Sequence, residues 1–302
     1  MPHDRSLGPV PPGRHTPARL PALVAGLCDD AAVFPPGNAP LPAAVAAHRD
    51  RREQWYAGLV GPLVLPGSAL GGLGELLEDG DPLEVSVTLP GGPDGLPAAR
   101  EAAAALPVRL RALEIPVGAA VDPVAAVDTV ADTLEGDGPE VYVEIPRGDH
   151  ESAVLRRVAE RGLRAKFRTG GVRAELHPGE EELAATLSAA VRAGVAFKAT
   201  AGLHHAVRNT DPRTGFEQHG FLNLLAVTDV LREGGEAADA RAVLADRDGP
   251  ALAARLRGLD PARVAALRAA LVSYGTCSIT EPLAELVDLG LVTAPEREEP
   301  GA

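Results

Sequence analysis

From residue 20 onward the chain repeats one pattern: a short apolar run, then an alanine-rich stretch with apolar residues at three- and four-residue spacing. Strands that alternate with such helices pair in parallel, because each helix carries the chain back across a sheet whose two faces both need cover. Eight candidate strands can be read: ALVAGL (22–27), GLVGPLVL (58–65), LEVSVTL (83–89), VRLRALEI (108–115), EVYVEI (140–145), LRAKFR (163–168), VAFKAT (195–200) and LVSYGTC (271–277). Between them, LPAAREAAAAL (96–106), ESAVLRRVAERG (151–162) and GEEELAATLSAAVRAG (179–194) read as amphipathic helices. The last opens on acidic residues, which suit the positive end of a helix dipole. Eight such units predict an α/β protein built as a single (β/α)8 TIM barrel.

The stretch from Ala201 to Leu271 is 71 residues long, too long for one helix and two loops. It is read as a helical insertion, 206–270, between strands seven and eight, with helices at 219–235, 240–247 and 261–271. A loop at that position extends over the catalytic face of a barrel, so a lid or an oligomer contact is expected. Residues 1–18 carry charges and prolines without an apolar core, and read as a disordered tail rather than a signal peptide, with 19–295 as the barrel.

A formal net charge of −13 disfavours nucleic acid and anionic membranes, both of which recruit basic surfaces. No apolar run is long enough to span a bilayer. The partner left is a small-molecule substrate, and a homo-oligomer stays open. The two cysteines, Cys28 and Cys277, are far apart and lack metal-ligand spacing, so they read as small buried hydrophobes in a reducing cytoplasm.

The basic residues are lopsided. Of 29 lysines and arginines, only Lys166 and Lys198 are lysines, and both fall in strand runs that end near glycine. Arginine replaces lysine at most solvated positions, but it cannot do amine chemistry. Residues two apart on a strand share a face, so Lys166 sides with Arg168 and Lys198 with Thr200. Inward lysines on neighbouring strands would lower one another's pKa, and a neutral amine attacks a carbonyl to form a Schiff base. The competing reading turns both outward or ties them up in salt bridges. Barrel sites form at the C-terminal strand ends. There stand Asp29 and Asp30 after strand one, Glu114 on strand four and Glu144 on strand five, with His204 and His205 after strand seven. Arg168 and Arg173 flank the Gly170-Gly171 turn and read either as binders of a carboxylate or phosphate or as partners of the strand-end acids.

The order VYVEIP, RAKFRTGG, VAFKATAG and YGTCSITEPLAEL resembles the second half of deoxyribose-phosphate aldolases, class I enzymes on a (β/α)8 barrel. VSVTLPGG (85–92) and the acidic turn at Asp29 and Asp30 are similar to that family's early strands. The resemblance implies that Lys166 forms the Schiff base, that Lys198 lowers its pKa, and that Gly202 and the Gly275-Thr276-Cys277-Ser278 turn sit at a phosphate position. It covers 140–205 and 271–290 well and the first half loosely. The chain departs from the pattern with FRTGG after the first lysine and ATAGLHH after the second. Glu114 meets the family's strand-four aspartate only with a register shift, and 206–270 is foreign to the family.

The expected function is therefore a Schiff-base-forming lyase or aldolase on a small oxo compound, phosphorylated or not. Lys166, Lys198, Glu144 and His204 are the candidate catalytic residues. Asp29, Asp30, Glu114, Arg168, Gly170, Gly171, Thr200, Gly202, His205, Gly275, Thr276 and Ser278 are the candidates around the substrate. No cofactor is implied. An alternative, a metal-dependent hydrolase or isomerase, would hold a divalent ion on Asp29, Asp30, Glu144, His204 and His219. A third reading is a barrel that binds a metabolite or scaffolds a partner without catalysis.

Overall fold

The computed structural model describes residues 20–77, 82–134 and 138–295, so the tail expected at 1–18 lies outside the described residues. In chain order the strands are β1 (Cys28–Asp30), β2 (Val60–Pro66), β3 (Leu83–Thr88), β4 (Val108–Pro116), β5 (Glu140–Glu144), β6 (Arg164–Arg168), β7 (Phe197–Thr200), β8 (Asn209–Thr210), β9 (Glu217–Gln218) and β10 (Leu271–Thr276). β8 and β9 form a small antiparallel ladder of their own. The other eight are all parallel and close into a TIM barrel in the order β1, β10, β7, β6, β5, β4, β3, β2. β10 is thus the eighth barrel strand.

The strand sequences alternate, and the alternation decides which way each residue points. Val85, Val87, Leu113, Ile115, Val141, Val143, Phe167 and Phe197 are buried in the two apolar clusters that join the barrel to its helices. The opposite parity carries Asp29, Ser86, Glu114, Tyr142, Glu144, Lys166, Lys198 and Ser273, which meet one another across the barrel. The apolar residues therefore glue sheet to helices, and the barrel lumen is polar near its C-terminal end.

Seven of the eight expected strands lie where the sequence places them. The first does not: residues 22–26 form turns, Gly26 sits at φ +59°, and β1 begins only at Cys28. Leu23, Val24 and Leu27 are nonetheless buried. Burial without a ladder produces the same apolar run as a strand, and periodicity cannot separate the two.

The 206–270 segment contains helices Phe221–Arg232, Ala237–Ala245, Gly249–Arg257 and Pro261–Ala270, one more than the pattern predicts. Ten of the 12 residues of Phe221–Arg232 are buried. Phe221 stacks on Tyr274 of β10, with ring centroids 5.2 Å apart, and the outer helices pack over it. This corrects the expected lid: the segment thickens the wall of the barrel, and none of its described residues lines the cavity at the C-terminal face. No helix among the described residues is long and apolar enough to cross a membrane.

Candidate active site

At the C-terminal ends of the strands lies a cavity of about 430 Å³, with Lys166, Lys198, Glu114, Glu144, Arg168 and Thr200 in its wall. The strand register makes Lys166 and Lys198 direct Cα partners on β6 and β7, and Glu144 on β5 is the partner of Lys166 on the other side. Both lysines point inward, 5% and 2% exposed.

Each ammonium sits between carboxylates. Lys198 Nζ lies 2.6 Å from Glu114 Oε1 and also contacts Asp29 Oδ2. Lys166 Nζ lies 2.9 Å from Glu114 Oε2 and 3.0 Å from Glu144 Oε2. Arg168 Nε, 3.0 Å from Glu144 Oε1, ends the chain of alternating charge. Glu114 therefore bridges both lysines, one oxygen to each. The polar neighbours keep this geometry in place: Ser86 donates to Glu114 Oε1 at 2.8 Å, and Ser273 donates to Asp29 Oδ2 at 2.8 Å. The ring of Tyr142 lies beneath Lys198, with Nζ 5.3 Å from its centroid.

These neighbours overturn one electrostatic expectation. Burial opposes the charge on Lys198, but Asp29 and Glu114 outweigh it and hold the ammonium well above the usual lysine range. Lys198 is thus a fixed cation and is not depressed by its lysine neighbour. Burial likewise opposes charge on Glu114 and Glu144, yet Lys198 and Lys166 hold the first, and Lys166 and Arg168 the second, below the usual carboxylate range. Burial pushes the Asp29 carboxyl up, against the pull of Lys198.

The rim comes from the loops after β6, β7 and β10. Gly170 is needed where these loops touch: a Cβ there would stand 3.0 Å from Gly202 Cα and 3.1 Å from the Ala201 carbonyl oxygen. Gly171, Gly202, Gly275 and Thr276 line the cavity, while Ser278 does not and instead caps the turn with Thr276. His204 and His205 both reach helix Thr280–Asp288, at carboxylates one turn apart. His204 lines the cavity, with Nδ1 3.0 Å from Glu281 Oε2 and Nε2 3.9 Å from Cys277 Sγ. Hydrogen bonds to Cys277 and Glu281 hold this imidazole up at about 10. His205 ties the loop to helix Thr280–Asp288 through Glu285, at 2.6 Å.

Besides Ser278 and His205, three further sequence candidates lie away from the cavity. Asp30 has the outward parity of β1 and is buried behind the sheet, 2.6 Å from Arg51 and 2.9 Å from His48. Its acidic character clamps helix Leu41–Arg52 to the barrel. His219 is fully buried in the wall, between the Pro178 carbonyl at 2.8 Å and Arg208 at 3.2 Å. Arg173 is exposed and outside the cavity wall. The five residues of the metal reading therefore do not converge, and no group of three or more His, Cys, Asp or Glu among the described residues is arranged to hold an ion.

No protein family and no curated protein matches the chain in sequence. The site has to be read from its own geometry. Sequence reasoning missed Ser86, Tyr142, Ser273 and Glu281. The first three carried a signal, since each is a polar residue at the inward parity of an otherwise apolar strand. Glu281 carried none, because it reaches His204 only through the packing of a distant helix.

Proposed function

We propose that the protein is a Schiff-base-forming lyase of the aldolase type, acting on a small oxo compound at Lys166. The carrying observation is a pair of buried lysines, partners in register on adjacent barrel strands, that share Glu114 at the floor of a cavity. Two lysines so placed are not interchangeable. Lys198 is enclosed by Asp29, Glu114 and the Tyr142 ring and supplies a fixed positive charge. Lys166 has the carboxylate of Glu144 at 3.0 Å, able to take the proton that the amine sheds before attack.

In this reading the Lys166 nitrogen adds to the carbonyl carbon, its proton passes to Glu144, and the resulting hydroxyl leaves as water. The protonated imine then accepts the electron pair of the breaking carbon–carbon bond. Thr88, Thr200 and Thr276 present hydroxyls around the cavity for the substrate's oxygens. The resemblance to deoxyribose-phosphate aldolases supports the assignment of the two lysines, and the inward Glu114 supplies an acid on strand four. The charge pattern argues for an unphosphorylated substrate. Each cation of the wall already has a carboxylate partner: Asp29 and Glu114 for Lys198, Glu114 and Glu144 for Lys166, Glu144 for Arg168, and Glu281 for His204.

The test is borohydride reduction in the presence of short aldehydes, ketones and 2-oxo acids, read by intact mass and peptide mapping. The expected result is one adduct on Lys166, lost in Lys166→Arg. Failure of every carbonyl compound to trap, or adducts confined to Lys198, would sink the proposal.

A further inference from the structure

The rim of the cavity holds a second nucleophile with its own base. Cys277 follows β10 and is half-buried in the cavity wall. Its sulfur faces His204 Nε2 at 3.9 Å, and the other nitrogen of that ring is anchored 3.0 Å from Glu281 Oε2. Nucleophile, base and orienting carboxylate thus stand in line, the arrangement that activates a thiol, and such spacings tighten when substrate closes the site. The three residues arrive from three places: the loop after β7, the end of β10, and the first turn of helix Thr280–Asp288. The FPPGNAP loop packs over the cysteine, so that a Cβ on Gly37 would stand 2.9 Å from Cys277 Cβ. That leaves the cavity side as the open approach. Cys28 offers the contrast: it is fully buried behind the sheet, 3.2 Å from the Tyr274 hydroxyl.

We propose that Cys277, with His204 and Glu281, is a covalent subsite for the aldehyde fragment released when the carbon–carbon bond breaks at Lys166. This rests on the Schiff-base reading for the origin of the aldehyde, while the thiol chemistry stands on its own. A retro-aldol step leaves one fragment on the lysine and frees the other as an aldehyde. The Cys277 sulfur forms a bond to the aldehyde carbon while its proton is held by His204 Nε2. The imidazolium then returns the proton to the carbonyl oxygen, giving a neutral hemithioacetal. Two electrons move from sulfur to carbon and the carbonyl π pair moves to oxygen, so no oxidant or co-reactant enters. Reversal releases the aldehyde. The imidazolium that both partners favour is the form this addition uses.

The experiment is timed iodoacetamide labelling of the full chain with peptide mapping, in the presence and absence of a short aliphatic aldehyde. Cys277 is expected to label at least tenfold faster than Cys28 and to slow at least tenfold in His204→Asn. Glu281→Gln, a change at a half-exposed helix position, gives an intermediate rate and keeps the test valid if the histidine variant does not fold. The aldehyde is expected to protect Cys277 in the wild type and also in Lys166→Arg, where no imine forms. Protection in Lys166→Arg with no borohydride adduct in the wild type would retain the thiol site and remove the lysine reading. Labelling that ignores His204, Glu281 and the aldehyde alike would overturn the thiol site while leaving the lysine reading intact.

Discussion

Lys198 and Lys166 differ in what they leave behind when removed. Lys198 is the cation shared by Asp29 and Glu114, all three buried. Lys198→Met strips Asp29 of its only lysine partner, and removing one side of a buried pair costs about 3–5 kcal/mol. Lys166→Met leaves Glu114 with Lys198 and Glu144 with Arg168. Chemical denaturation is expected to rank Lys198→Met as the more damaging variant, although Lys166→Met removes the amine proposed to form the imine. A reversed ranking would mean that Lys166 holds the lumen together and that its role is structural. The residues themselves were visible in the sequence, since two lysines among so many arginines invite the question. Their enclosure by carboxylates was not, because Asp29, Glu114 and Glu144 come from three other strands and only barrel closure brings them within 3 Å or so of an ammonium.

At the scale of elements, the cavity rim depends on loops that touch backbone to backbone. Gly170 and Gly202 meet where the loops after β6 and β7 cross, and Thr169 Oγ1 reinforces the crossing by donating to the Ala201 carbonyl at 2.7 Å. Ala201 itself takes φ +68° there. Gly170→Ala is expected to push the loops apart at a cost of about 1–3 kcal/mol. Thermal unfolding reads that loss, and reduced borohydride trapping at unchanged Lys166 would show that the rim shapes the site. Asp30 shows the opposite case, an acid that looked like a substrate or metal ligand by its place at a strand end. One residue's shift in parity turned it from lumen to wall, where it binds Arg51 and His48. The sequence stretch CDD has no alternation to reveal which aspartate points in.

For the whole molecule, the wall built by 206–270 contains a pH-sensitive element. Burial, with Arg208 beside it, pushes His219 down to about 4 against the pull of the Pro178 carbonyl. Glu180 and Glu217 face it through their ion pairs with Arg208. The folded state keeps this imidazole neutral, whereas an unfolded histidine takes up a proton below about 6.5. Between those values the unfolded state binds more protons, so stability falls as pH drops from about 6.5 toward about 4, by about 3 kcal/mol in total. Urea denaturation across that range should show the slope in the wild type, and His219→Gln should flatten it. A slope unchanged by the substitution would place the acid sensitivity elsewhere.

The eight-unit rhythm of apolar runs and amphipathic helices determined the barrel, because secondary-structure periods and chain direction are local properties and parallel pairing leaves few ways to cover both faces of a sheet. The odd lysines and the strand-end acids were equally legible as candidates, since residue type and position at a strand end are written in the chain. Which acids face the lumen, that Glu114 joins both lysines, that Glu281 reaches His204 from 77 residues away, and that 206–270 thickens the wall instead of covering the site were decided only in three dimensions. Distances between side chains on separate elements depend on barrel closure and helix packing, and no local pattern encodes them.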